Sequence, residues 1–108
     1  MLLSLCLAAP IVPRNTVAAV ASSTVLHCQF GNVPLAWSFV SVSSLQPIII
    51  ATDCTVVDLL KQYFDVDTTD GACNLVIRDV LMYHAGLYTC QEVVLLDRPS
   101  LAQLIVIG

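Results

Sequence analysis

The chain has 108 residues, of which 57% are hydrophobic and 11% charged, with a formal net charge of −4. That length holds one domain with one core and no second unit. Its four basic residues, Arg14, Lys61, Arg78 and Arg98, are too few and too scattered to neutralise a phosphate backbone, which excludes nucleic acid as a partner.

A soluble domain carries roughly a quarter charged residues. The apolar surplus must therefore be buried twice over or face a partner. No apolar run approaches the roughly 18 residues needed to cross a bilayer, so no transmembrane segment is expected within this chain.

In chain order, "MLLSLCLAAP" comes first. It is apolar and ends in small residues, and it reads as the tail of a secretory signal over residues 1–9, with Ala8 and Ala9 near a cleavage point. It lacks a basic n-region, and a leucine-rich first strand is the alternative. Residues 10–108 then form the single domain. From there the apolar residues follow a period of two. In "LAWSF", Leu35, Trp37 and Phe39 alternate with Ala36 and Ser38. "GNVP" at 31–34 and "SVSSLQP" at 41–47 supply turns on either side of that strand. "VVDLLKQYF" at 56–64 could make a helical turn, but its neighbours favour a strand or an irregular connection. "DTTDG" at 67–71 is a turn in which Gly71 can take positive φ. In "CNLVIRD", Cys73, Leu75 and Ile77 share a face. "LDRPS" at 96–100 makes a short hairpin loop, and in "AQLIVIG" Leu104 and Val106 oppose Ile105 and Ile107. Eight or nine short strands punctuated by turns predict an all-β, two-sheet sandwich.

Site chemistry is sparse. Five cysteines are present, Cys6, Cys28, Cys54, Cys73 and Cys90. If Cys6 leaves with a signal, four remain, an even number that suits an oxidising compartment. Four cysteines allow three pairings, which counting alone does not resolve. No CxxC occurs, against a zinc knuckle or a thioredoxin-like motif. His27 and His84 are the only histidines and read as ordinary strand or corner residues. A metal site needs three or four converging ligands, so catalytic, metal and cofactor sites are all expected to be absent. "DVDTTDG" superficially looks like a calcium loop, but its acid spacing is wrong and Val76 stands where a bidentate glutamate is needed. An acidic turn is the better reading. No N-glycosylation sequon is present.

Cys28, Trp37 and Cys90 stand in order. Tyr88 lies two residues before the last of them, so Tyr88 and Cys90 share one face of a strand. Gly86 precedes Tyr88 where the backbone must turn a close corner. This arrangement resembles the immunoglobulin superfamily, and the room between Trp37 and Cys73 for strands C′, C″ and D resembles its variable type. The resemblance runs from about Ile11 to Gly108. "VLHC" corresponds to strand B, "LAWSF" to C, "CNLVIRDV" to E, "HAGLYTCQ" to F and "LAQLIVIG" to G.

The resemblance implies a Greek-key sandwich with a Cys28–Cys90 bond across the two sheets, Trp37 packed on it and the Tyr88 hydroxyl satisfying backbone at the corner. A Cys54–Cys73 bond would pin the C′–D connection to strand E, and two free buried thiols are the alternative. The chain departs from the family where His84 replaces an aspartate and the strand D region, "KQYFDVD", lacks its arginine partner. The ion pair is then absent, or replaced by His84 beside an acid. The Phe-Gly-x-Gly bulge of antigen-receptor domains is missing from strand G. The whole is closer to an invertebrate or early-chordate domain than to an antibody.

If the core residues point inward, alternation sends Ala36, Ser38, Val40, Thr89, Gln91, Val93, Gln103 and Ile105 outward on strands C, F and G. Strand C′ adds either Ile49 or the pair Ile48 and Ile50. This GFCC′ face is uncharged, and apolar faces of this kind mark interaction sites. The expectation is an extracellular recognition or adhesion module, not an enzyme, secreted or on a cell surface. It would bind a protein ligand or a second copy of itself as a homodimer, with Ser38, Val40, Ile49, Thr89, Gln91, Val93 and Ile105 in the interface. The alternative is a structural spacer in a multi-domain receptor, its apolar face packed on a neighbouring domain.

Overall fold

Leu35, Trp37 and Phe39 can share a face only on a pleated backbone, and in the computed structural model all three are buried while Ala36, Ser38 and Val40 between them are not. The structure describes residues 10–30, 34–93 and 99–108. The proposed signal segment 1–9, most of the "GNVP" turn and the start of "LDRPS" lie outside the described residues.

Among the described residues nine strands carry the fold: β1 (Thr16–Ala19), β2 (Thr24–Leu26), β3 (Leu35–Ser41), β4 (Pro47–Thr52), β5 (Thr55–Val56), β6 (Phe64–Asp67), β7 (Asn74–Ile77), β8 (Gly86–Glu92) and β9 (Ser100–Ile107). They form a six-stranded sheet in the order β1-β9-β8-β3-β4-β5 and a three-stranded sheet in the order β2-β7-β6. In the lettering used above, β9-β8-β3-β4-β5 are GFCC′C″, with β1 added at the G edge, and β2-β7-β6 are BED, the variable-type topology. All pairings are antiparallel except β1 with β9, which is parallel. Ahead of β1, Ile11 bridges Gln29 just beyond β2. The first strand therefore starts against one sheet and crosses to the other.

The 56–64 stretch divides. After Val56 the chain makes a single 3-10 turn over Asp58–Leu60 and re-enters a strand at Phe64. A helical turn is thus present where a strand or irregular link was favoured. Asp58 and Lys61, three apart, pair at 3.0 Å across it. The "DTTDG" turn is also 3-10, with Gly71 at φ +80°. The Asp67 carboxylate accepts from both the amide and the hydroxyl of Thr69. Those bonds, the side-chain one first, hold it below the usual carboxylate range.

Between the sheets lie Trp37, Tyr88, Phe39, Leu75, Ile77 and Leu104, all essentially without solvent contact. Phe39 stacks on Tyr88 with ring centroids 4.8 Å apart. On β9, Leu104 and Val106 are buried whereas Ile105 and Ile107 are exposed.

Candidate functional site: the outer face of the six-stranded sheet

Strand register decides which side chains line up. Ser38 lies opposite Thr89 on β8 and Ile49 on β4, and Thr89 lies opposite Leu101 on β9. The next row reads Pro47, Val40, Leu87 and Gln103. One step further, Ile105 lies beside Val17 of β1. Paired residues share a side of the sheet, so these rows form one continuous outer face. Ile49 is 62% exposed, Val17 60%, Leu101 54%, Ile105 45% and Leu87 43%. No strand position on this face carries a charge. Glu92, the one charged strand residue on this sheet, lies opposite the buried Leu35 and belongs to the inner side.

The ambiguity among Ile48, Ile49 and Ile50 is resolved by a bulge. Register slips between Trp37 and Ser38, so that Trp37 pairs with Ala51 while Ser38 pairs with Ile49. Ile50 is the extra residue, and it and Ala51 are both buried. Ile49 alone turns outward. Gln91 stands opposite Ala36 at the far end of the face. Val93 lies past the end of β8, half-buried, its amide donating to the Pro34 carbonyl at 2.9 Å. It is therefore at the rim of the face and outside the strand rows. Leu87, Leu101 and Val17 belong to the face and escaped the sequence reading. Alternation from Tyr88 and from Leu104 would have assigned Leu87 and Leu101, whereas Val17 needed the β1–β9 pairing.

Beneath the face, the scaffold is cross-linked and its buried polar groups are paired. Cys28 is bonded to Cys90, joining the two sheets, and Cys54 is bonded to Cys73. The Trp37 indole donates to the Cys73 carbonyl at 2.8 Å, so this large buried side chain leaves no polar atom unpaired. The Tyr88 hydroxyl donates to the His84 carbonyl at 2.7 Å and fixes the corner entering β8. Burial pushes that phenol well above its ordinary value. Gly86 sits where any Cβ would collide with the Val40 carbonyl oxygen on β3. A side chain there would push apart the two central strands of the face.

Among the described residues no acid pairs with His84. Its ring meets Tyr63, Phe64 and Tyr83, with centroids at 5.2, 5.3 and 6.3 Å. Its Nδ1 accepts the Leu81 amide at 2.8 Å. Of the two alternatives expected at this corner, an absent ion pair or His84 beside an acid, the structure shows the first, with an aromatic cluster in its place. Tyr63 and Phe64 lie in the very segment that lacks the arginine. Burial lowers the pKa of the imidazole, because a charge in that cluster would be poorly solvated.

No family model matches the chain, and no curated protein matches it either. Solved structures do. The crystal structure of Dpr1 IG1 bound to DIP-eta IG1 includes a chain that is 19% identical, with a TM-score of 0.68, over 89% of this chain and 90% of that one. The RIG-5 IG1 homodimer is 18% identical with a TM-score of 0.71, over 90% of this chain and 93% of the other. At that identity the likeness is one of fold, an immunoglobulin-like two-sheet sandwich with the variable-type strand order.

Proposed function

We propose that this chain is an extracellular recognition domain that docks a protein partner, a second copy of itself included, through the outer face of its six-stranded sheet. The observation that carries this reading is the continuous uncharged face built by Ile49, Val40, Leu87, Leu101, Ile105 and Val17. Five of these six, Ile49, Val17, Leu101, Ile105 and Leu87, are well exposed, and what sets them apart from exposed apolar residues elsewhere is that strand pairing makes them contiguous, as in an interaction surface. Ser38, Thr89, Gln91 and Gln103 are interleaved with them and supply hydrogen-bonding groups without the cost of burying a charge. Two of the structures similar to this one are complexes of IG1 domains, one between two different proteins and one between two copies. Two disulfides fit an oxidising compartment, and residues 1–9 read as the signal that delivers the chain there.

Sedimentation equilibrium of the isolated domain over a wide concentration range tests the self-pairing form. A reversible dimer is expected, and it should be lost in Ile49→Lys and in Ile105→Lys while the circular dichroism spectrum is kept. A dimer indifferent to both substitutions places the interface elsewhere. A clean monomer, combined with failure to capture partners from a surface-protein panel, favours the spacer.

A further inference from the structure

The two disulfides occupy different environments. Cys28 and Cys90 are 0% exposed, enclosed between the sheets beside Trp37. Cys73 is likewise buried at the start of β7. Cys54 is not: it is half-buried, in the two-residue turn between β4 and β5. It also lines an open groove of about 410 Å³ between β5 and β6, together with Lys61, Phe64, Asp65 and Arg78. The Cys54–Cys73 bond therefore ties a surface hairpin of one sheet to a core strand of the other, and only its Cys54 end borders the groove.

The groove also carries charge. Two of the chain's four basic residues, Lys61 and Arg78, lie in it. Each has one carboxylate neighbour, Asp58 at 3.0 Å and Asp65 at 3.6 Å, and all four groups are well exposed. Exposed pairs of this kind open at little cost, which leaves both cations available to an incoming anion.

We propose that Cys54 is a thiol-exchange site for a small anionic thiol, of the class of a cysteine-containing peptide carrying free carboxylates. The thiolate sulfur bonds to Cys54 Sγ, the Cys54–Cys73 bond breaks, and its electron pair leaves on Cys73 Sγ, which takes a proton from water. The product is a mixed disulfide at Cys54 and a free thiol at Cys73. A second equivalent of the same thiol then releases Cys54 as a thiol and departs as its own dimer. Attack is confined to Cys54 because exchange requires in-line access to a sulfur, and the other three are sealed. The sandwich survives, since β4 keeps its ladder to β3 and Cys28–Cys90 stays closed. What loosens is the β4–β5 hairpin and the 3-10 turn behind it.

The experiment is incubation of the native domain with reduced glutathione at neutral pH, quenching with acid, alkylation with excess iodoacetamide in denaturant so that buried thiols are also reached, and peptide mapping. Glutathione on Cys54 and alkylation on Cys73 are expected, with Cys28–Cys90 still joined. Adducts on Cys28 or Cys90, equal opening of both bonds, or no reaction without denaturant would each overturn the proposal. Lys61→Gln should slow glutathione by about twofold and leave neutral 2-mercaptoethanol unchanged. Equal slowing of both reagents removes the part of the argument that rests on charge.

Discussion

On the six-stranded sheet one outward row reads Ile49, Ser38, Thr89 and Leu101, whereas on the three-stranded sheet the corresponding kind of row reads Val25, Val76 and Asp65. Arg78 follows at the end of β7 and reaches Asp65 at 3.6 Å, while Asp67 turns its carboxylate into the Thr69 cap. Both sheets bury their inner faces against the same core, so the inner faces do not explain the contrast. The three-stranded sheet meets water in the ordinary way, with charges on its edge strand β6 that discourage strand addition. The six-stranded sheet omits those charges across five strands. This difference in charge between the two outer surfaces is the contrast on which the proposed docking face rests.

That contrast can be broken most completely by Cys28→Ala with Cys90→Ala, because their bond holds both sheets together. The loop it closes spans 62 residues, and its loss should lower unfolding stability by about 4 kcal/mol on the chain-entropy model. Urea titration would show it, with the two faces failing in one transition. A smaller but more selective effect separates the faces. Leu87→Glu should weaken partner binding or self-association about a hundredfold, and Val76→Glu, its counterpart on the other sheet, should stay within about twofold. Sedimentation on matched samples decides it, and equal effects would erase the distinction drawn between the two surfaces.

The smallest effect sharpens the link between them. His84 belongs to the turn before β8 and contacts residues that lead into β6, so its protonation disturbs both sheets. Its pKa is lowered by burial below the ordinary 6.5. The native state then holds fewer protons than the unfolded one, and stability rises with pH across this range. The contribution is complete above about pH 6.5 and is lost as pH falls from there toward the lowered value. Melting curves between pH 7 and 5 should show the decline, and His84→Asn should flatten it. Asp67, whose pKa is lowered from 3.8, acts only in more acidic solution.

Much of this was legible in the sequence for a physical reason: a pleated strand repeats every two residues, so one inward anchor assigns its neighbours. Trp37 assigned Ser38 and Val40, and Tyr88 assigned Thr89 and Gln91. The rule fails where the repeat breaks. Ile50 is inserted at a bulge, so three consecutive isoleucines could not be placed by parity. Val93 falls past the strand end, where parity no longer applies. Val17 depends on a parallel pairing between residues nearly ninety positions apart, as Val17 beside Ile105 illustrates, and no local pattern contains that. The aromatic setting of His84 is also non-local. It is assembled from Tyr63 and Phe64 across a turn from Tyr83, and the family's ion pair offered no guide once both its members were replaced.

The parallel pairing of β1 with β9 has a mechanical consequence. From Thr16 beside Leu104 to Ala19 beside Ile107, the two strands run in the same direction. Tension applied across Pro10 and Gly108 pulls them past each other lengthwise. Their hydrogen bonds are then loaded together, where a hairpin drawn from its open end would surrender them one at a time. A module gripped by its partner on one flank and tugged through its termini would resist extension as a clasp does, and the bond between residues 28 and 90 would cap how far it could yield.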